Sequence, residues 1–343
     1  MVIGVRLVIS VFVQRALAIS IGETGIAYVG QLRNLIGILN SVATLGVFNG
    51  LIKYVSEFKN DNEELKKVFS TAFVFGFVGS VVTCLVVFFF SDSLSEKLFG
   101  TEDKKDVIVI LAFVIPVLVL IKFLNGIING LSEYKKYAKI DLISYILSVA
   151  LLLIFLKYYN LKGVLLAIVL TPLIQIGVIG YVFGSGLKKI IRIQSVKFEI
   201  PYAKQLLAFM LMSLVSTVVI NYIEIDLRTM IADKISLKEA GYWTAMTFIS
   251  KNYMVFSSGI FSLYVIPKFA KIYNGVGFKK EVIYIYKTLI PIFGLGMLSV
   301  YVFREVVINV IYPNFIGMEP LFKWQLSGDF IRLLSLVYFL LLP

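Results

Sequence analysis

Ser20-Ile21-Gly22-Glu23-Thr24-Gly25-Ile26-Ala27 closes one apolar segment with a glycine-bearing corner and starts a hydrophobic run that continues to Gly46-Val47-Phe48-Asn49-Gly50-Leu51-Ile52-Lys53-Tyr54. Gly22 and Gly25 tolerate the positive φ that a sharp corner demands. The run from Ile26 to Ile52 is long enough to span roughly 30 Å of hydrocarbon, and Lys53 begins the charged segment that stops it. One stretch thus reads as a membrane crossing with its entry turn and its exit.

Part of this pattern returns further along. Arg15-Ala16-Leu17-Ala18 has a counterpart in Arg228-Thr229-Met230-Ile231, 213 positions later. Gly25-Ile26-Ala27-Tyr28 is matched by Gly241-Tyr242-Trp243-Thr244, and Gly46-Val47-Phe48-Asn49 by Gly259-Ile260-Phe261-Ser262. Two homologous halves follow, the second beginning near Leu206.

Composition sets the broad class. The 343 residues are 59% hydrophobic and 16% charged, with a mean hydropathy of +0.90, where a soluble domain carries about 25% charge. This is an all-α, polytopic membrane protein. The first apolar run carries Arg6, Gln14 and Arg15 and lacks a small-residue cleavage site, so it is not a cleavable signal peptide. Cys84 is the only cysteine; in its apolar run a small buried thiol is expected. The chain has no histidine, which removes every Ser-His-Asp or Cys-His arrangement and every His-ligated metal site. No catalytic residue, cofactor or metal is expected.

Ten crossings are predicted, at about 2–20, 27–53, 68–91, 107–131, 140–157, 163–184, 207–232, 241–266, 284–311 and 325–343. With the amino terminus in the cytoplasm, the inner connections hold 17 basic residues and the outer ones 9, the bias that orients membrane proteins. The same bias accounts for much of the net charge of +12 without a nucleic-acid partner. Residues 1–184 form a six-helix amino-terminal bundle, 185–205 a cytoplasmic linker, and 206–343 a second bundle of about four helices. In the linker, Ile190, Ile191, Ile193, Val196 and Phe198 alternate with basic residues, which suits either a surface-lying segment or an ordinary connection. The pairs Gly46/Gly50, Gly126/Gly130 and Gly180/Gly184 predict close helix approaches on the inner side. Pro116, Pro172, Pro267 and Pro291 are expected to bend or end helices.

The informative residues are charges and amides inside the crossings. A cation in hydrocarbon costs about 2.5 kcal/mol or more, so Arg15, Lys122, Arg228 and Lys251 call for a polar cavity or a partner. Arg6, Arg304 and Arg332 lie near helix ends, where they can snorkel to water. Lys122, Asn125 and Asn129 form an i, i+3, i+7 stripe, Lys251 and Asn252 sit mid-helix, and Arg15 and Arg228 hold equivalent places in the two halves. These predict either a shared cationic cavity between halves or a set of local pairings. Glu224 and Asp226 share helix seven. Glu224 pairs with Arg228 at i, i+4, or one of the two acids carries the coupling ion, with Asp226 preferred because it lacks a helical partner.

Three segments carry a family resemblance: Gly22-Glu23-Thr24-Gly25-Ile26-Ala27, Gly46-Val47-Phe48-Asn49-Gly50-Leu51-Ile52-Lys53-Tyr54-Val55, and Phe322-Lys323-Trp324-Gln325-Leu326-Ser327-Gly328-Asp329. With them the chain resembles the Wzx flippases, in particular the enterobacterial-common-antigen (lipid III) type, within the superfamily that includes the MATE exporters. The resemblance implies a MATE-like two-bundle fold in the bacterial inner membrane. It also implies transfer of undecaprenyl-pyrophosphate-linked oligosaccharide, such as an O-antigen or common-antigen repeat unit, to the periplasmic leaflet. Coupling would be to protons or sodium ions, and the further partners would be membrane lipids and polysaccharide-assembly proteins. The family has twelve crossings, so about ten of twelve are expected here, with the chain beginning inside helix one and the second bundle incomplete. Of the family's cavity charges, Arg15 and, less directly, Arg228 match; Glu224 and Asp226 match no family pattern.

In that setting Arg15, Lys122, Arg228 and Lys251 are candidates to meet the diphosphate, and Asn49, Asn125, Asn129 and Asn252 to bond sugar hydroxyls. Two other functions fit parts of the pattern. A MATE-like cation or drug antiporter would want an anionic, aromatic cavity. A membrane polysaccharide polymerase or ligase would want a large outer loop, whereas the longest here, Ser91 to Asp106, is short.

Overall fold

An apolar chain inside hydrocarbon has no water to bond, so each crossing must satisfy its own N–H and C=O groups, which a helix does. The computed structural model describes the backbone of residues 2–190, 200–260, 275–315 and 317–341, and every regular element among them is helical. In chain order these are α1 (Val2–Ala43), α2 (Phe48–Glu57), α3 (Asn62–Phe89), α4 (Ser91–Phe99), a 3₁₀ turn (Glu102–Lys104), α5 (Lys105–Gly130), α6 (Tyr134–Ile190), α7 (Ala203–Lys234), α8 (Leu237–Ile260), α9 (Gly275–Val302), α10 (Arg304–Ile311) and α11 (Met318–Leu341).

Two of these helices are not straight. α1 breaks at Gly22 (φ 63, ψ −168) and α6 at Asn160 (φ 47, ψ −134). A Cβ placed on Gly25 would lie 2.6 Å from Cβ of Ile21, where a continuous helix keeps that pair about 5–6 Å apart. One on Gly163 would lie 2.2 Å from the carbonyl oxygen of Phe155, although eight residues of straight helix cover about 12 Å. The chain therefore doubles back at Asn160, and Gly22 makes the corner read from the sequence. The two arms of α1, α3, α5, the two arms of α6, α7, α8, α9 and α11 overlap the ten predicted crossings; five of these helices, α1, α3, α5, α6 and α9, are long and apolar enough to cross a membrane.

The differences lie at interruptions. The second predicted crossing is cut at 44–47, where Leu45 (φ 48) and Gly46 (φ 65) turn the chain before α2. The ninth is cut at Phe303 between α9 and α10. Pro116, Pro172 and Pro291 lie inside helices that run on past them. Cys84 is half-buried, not buried. Pro267, linker residues 191–199, Lys268, Lys271 and the repeat positions Phe261 and Ser262 lie outside the described residues, as does the side chain of Arg332.

The chain forms two compact units, cut differently from the 1–184/206–343 division: residues 1–8 with 28–230, and residues 9–27 with 231–343. Each of α1 and α7 thus contributes to both. In the first unit α5 is the central helix. Val47, Leu51, Tyr54, Val55, Val68 and Phe69 pack with its Ile127, and Ile121, Leu124 and Ile128 pack against Ile140, Ile179 and Phe183 of α6. Gly126 and Gly130 admit Leu51 and Val55 of α2, as the small-residue spacing predicts, whereas a Cβ on Gly180 or Gly184 would meet open space.

α3 starts on Asp61, whose carboxylate accepts from the N–H groups of Glu63 and Glu64 at 3.1 Å each. The start of α7 is tied to this corner. Tyr202 N–H donates to Thr71 Oγ1 at 3.3 Å, its hydroxyl donates to Glu64, and its ring sits 5.5 Å from Tyr54 and 5.7 Å from Phe58. Burial and then the Glu64 carboxylate push the Tyr202 phenol up to about 12.

In the second unit α11 packs against α8, α9 and α10. Tyr312, fully buried, lies 4.9 Å from Phe315 with the rings tilted by 44°, and Phe315 meets Tyr242. Gly241 is required where it stands, because a Cβ there would lie 2.1 Å from the carbonyl oxygen of Glu23.

Candidate functional site

The first unit holds a polar seam between α1 and α7. Arg228 is 2% exposed, and its Nη2 faces Glu224 Oε2 at 3.3 Å, one helical turn away. Its Nη1 also donates to the Glu224 carbonyl at 3.2 Å. From α1, Asn34 Nδ2 donates to the same carboxylate oxygen at 3.0 Å, and Gln31 Nε2 reaches Thr229 Oγ1 at 3.4 Å. A Cβ on Gly37 would lie 2.8 Å from Asn221 Oδ1, so the two helices are close here. Of the two outcomes open for Glu224, the structure holds the i, i+4 pair. Asp226, two residues on, is exposed on another face of α7.

The same unit places a second ion pair at the start of α1. Arg6 Nη1 lies 2.5 Å from Asp141 Oδ2 of α6, with the guanidinium 4.8 Å over the Tyr145 ring. Tyr145 hydroxyl donates to the Arg6 carbonyl at 3.4 Å. Arg6 is thus partnered across the fold where snorkelling was expected.

The predicted stripe on α5 separates into two environments. Lys122 Nζ lies 4.9 Å over the Phe48 ring, in a narrow cleft bounded by Thr44, Leu51, Gly76 and Val119. Asn129 Nδ2 donates to the Asn125 carbonyl at 2.8 Å and meets Tyr137 of α6. Asn125 itself is 8% exposed. Asn49 is exposed.

In the second unit Arg15 Nη1 donates to the carbonyls of Asn309, at 3.3 Å, and Val310. These lie at the carboxyl end of α10, whose last carbonyls have no partner within their own helix. Next to it, Tyr312 hydroxyl donates to Gln14 Oε1 at 3.2 Å. Lys251 is exposed, and Asn252 Nδ2 turns back to the Phe248 carbonyl at 2.9 Å. Arg304 pairs with Glu319.

Several polar residues were missed in the sequence reading. Asp329 is 4% exposed; Ser250 Oγ donates to its Oδ2 at 2.5 Å, and Gln325 Nε2 reaches both carboxylate oxygens at 3.4 and 3.3 Å. Its signal was present as Gln325 and Asp329 at i, i+4 within one recognised segment. Asp141, Gln31 and Asn34 carried only the general signal of a polar side chain inside an apolar run. Among the described residues, no group of three or more acids or cysteines is placed to hold a metal ion.

Residues 27–315 match a polysaccharide biosynthesis protein family. The chain is 26% identical over 338 residues to the lipid III flippase of Escherichia coli (strain K12), covering 97% of this chain and 80% of that protein. The lipid III flippase of Shigella flexneri gives the same values. Among solved structures, an inward-facing multidrug resistance MATE family transporter of the MOP superfamily superposes with a TM-score of 0.67 at 17% identity, covering 93% of this chain and 74% of the other. The fold is that of the MATE transporters.

Proposed function

The chain belongs to the polysaccharide biosynthesis protein family, and from that premise we propose that it is a flippase for lipid-linked oligosaccharide. Its cargo is an undecaprenyl-pyrophosphate-linked repeat unit, carried from the cytoplasmic to the periplasmic leaflet of the bacterial inner membrane. The observation that carries this reading is the likeness to the lipid III flippases along 97% of the chain. A transporter needs no catalytic residue, in keeping with relatives that are flippases.

The physical task is desolvation. A diphosphate and several sugars cannot cross hydrocarbon unless protein groups replace their water, while the polyprenyl tail stays in lipid. Arg15 and Lys251 meet the diphosphate first in this proposal. Arg15 is bonded only to carbonyls in the contacts described above, and Lys251 is exposed. Within the first unit Lys122 and Arg228 are the further cations offered to the diphosphate, the latter by exchanging Glu224 for a phosphate oxygen. Asn49, Asn125, Asn129 and Asn252 bond sugar hydroxyls. Asp226, exposed on another face of α7, takes the coupling proton, with Glu224, once released from Arg228, as the alternative. Exposure of the site to each side in turn completes transfer. The basic inner connections support a cytoplasmic amino terminus.

The test is transfer of fluorescently labelled undecaprenyl-pyrophosphate oligosaccharide between leaflets of vesicles containing the purified protein. Protein-dependent transfer at an unchanged chain length is the expected result. Elongated glycan without transfer would make the protein a polymerase and overturn the reading.

A further inference from the structure

One face of the first arm of α6 carries Tyr137, Asp141, Ser144, Tyr145 and Ser148, spaced i, i+4, i+7, i+8 and i+11. At 100° per residue these five fall within an arc of about 100°, so they form one polar stripe through three turns of a membrane helix. Polar groups there are costly unless bonded or put to use. Part of the stripe is bonded: Asp141 to Arg6, Tyr145 to the Arg6 carbonyl, and Tyr137 to Asn129 of α5. The rest is not. Ser144, 6% exposed, and Ser148 have hydroxyls without a hydrogen-bond partner among the described residues, and so has Oδ1 of Asn125, one turn before Asn129.

We propose that this stripe is a carbohydrate subsite: Ser144, Ser148 and Asn125 receive sugar hydroxyls, and the half-exposed Arg6–Asp141 pair on Tyr145 forms its rim. The inference rests on the flippase reading and deepens it by naming where the glycan is held. The chemistry selects a polyhydroxylated ligand. Arg6 and Asp141 offset each other's charge, and Arg33 adds a positive field at Tyr145, so a cation is disfavoured there. The unbonded atoms are an amide oxygen, which needs a donor, and two hydroxyls, which both give and accept, the complement of a sugar O–H. The rim pair is half-exposed while the unbonded atoms are buried. Lys135, Lys136 and Lys139 flank this end of α6, so the subsite would serve loading from the cytoplasm.

The test uses full-length purified protein with Ser144→Ala, Ser148→Ala and Asp141→Asn. Affinity is measured by fluorescence quenching for two lipids, undecaprenyl pyrophosphate bearing its oligosaccharide and undecaprenyl pyrophosphate without sugar. Each variant is expected to weaken the sugar-bearing lipid about fivefold, with the bare lipid unchanged. The two serine variants should unfold at the same temperature as wild type or higher, since each removes a buried group that folding leaves unbonded. Equal effects on both lipids, no effect on either, or a wild type that binds both alike overturns the subsite. A wild type that binds the sugar-bearing lipid with the expected variant pattern, yet transfers nothing between leaflets, overturns the flippase reading and leaves the subsite standing.

Discussion

Arg15 and Arg228, 213 positions apart, read from the sequence as matching places in two halves, yet the structure treats them in opposite ways. Arg228 is 2% exposed and turned onto a carboxylate of its own helix, which a carboxamide from α1 also holds. Arg15 is half-buried and turned onto two backbone carbonyls at the end of α10. A carboxylate cancels a guanidinium; carbonyl dipoles orient it and leave its charge in place. The lesson is that similar local sequence does not fix what a cation is electrically. Arg15 stays a cation that can be offered to an anionic cargo, whereas Arg228 must first lose its partner.

The strongest way to break that contrast is to remove Glu224. Glu224→Leu leaves a buried cation without its carboxylate and should cost about 3–5 kcal/mol, read as a large fall in unfolding temperature in detergent. Glu224→Leu with Arg228→Met should recover most of it. A stable single variant would mean that the pair does not hold Arg228 in place.

Packing around the pair's unit supplies the next effect. Gly130→Leu drives a side chain into Val55, already 2.6 Å from a bare Cβ, and should cost about 1–3 kcal/mol. Gly180→Leu, facing open space, should stay within about 0.5 kcal/mol by the same unfolding measurement.

Arg15→Gln should cost only about 1 kcal/mol, the worth of a cation at a helix carboxyl end. Leaflet transfer should nevertheless fall at least about tenfold if the charge serves the diphosphate. A stability loss larger than that of Glu224→Leu would reverse the comparison.

The smallest effect is at Tyr202, outside the crossings. Its folded pKa is raised to about 12, so the unfolded chain releases the phenol proton first. Stability is therefore full below the usual tyrosine range of about 10 and declines as pH rises toward 12. Tyr202→Phe should be slightly less stable at pH 8 and should lack this component of the decline; an identical decline in both proteins would place the titrating group elsewhere.

Read from residues alone, the membrane class and the corner at Gly22 were legible, because each depends on the order of apolar, glycine and basic residues along the chain. The breaks at Leu45–Gly46 and Phe303 were not read, although Gly46 can take a positive φ and the charges of Arg304 and Glu305 follow Phe303 directly, because the apolar runs on either side continue the pattern of a single crossing. The Glu224–Arg228 pair was legible as i, i+4 spacing, but Asn34 joins it from 190 residues away. Arg6 looked like a snorkelling end and proved to be the partner of Asp141, 135 residues on.

The amino-acid sequence by itself determined that this protein lives in a bilayer as a bundle of helices, since burial of apolar side chains and internal backbone bonding are settled locally, one crossing at a time. Only the tertiary structure decided which buried charges are cancelled and which are kept, and which hydroxyls on α6 remain unbonded. Those outcomes depend on groups brought within about 3 Å by packing between distant helices, and no periodicity along the chain encodes that distance.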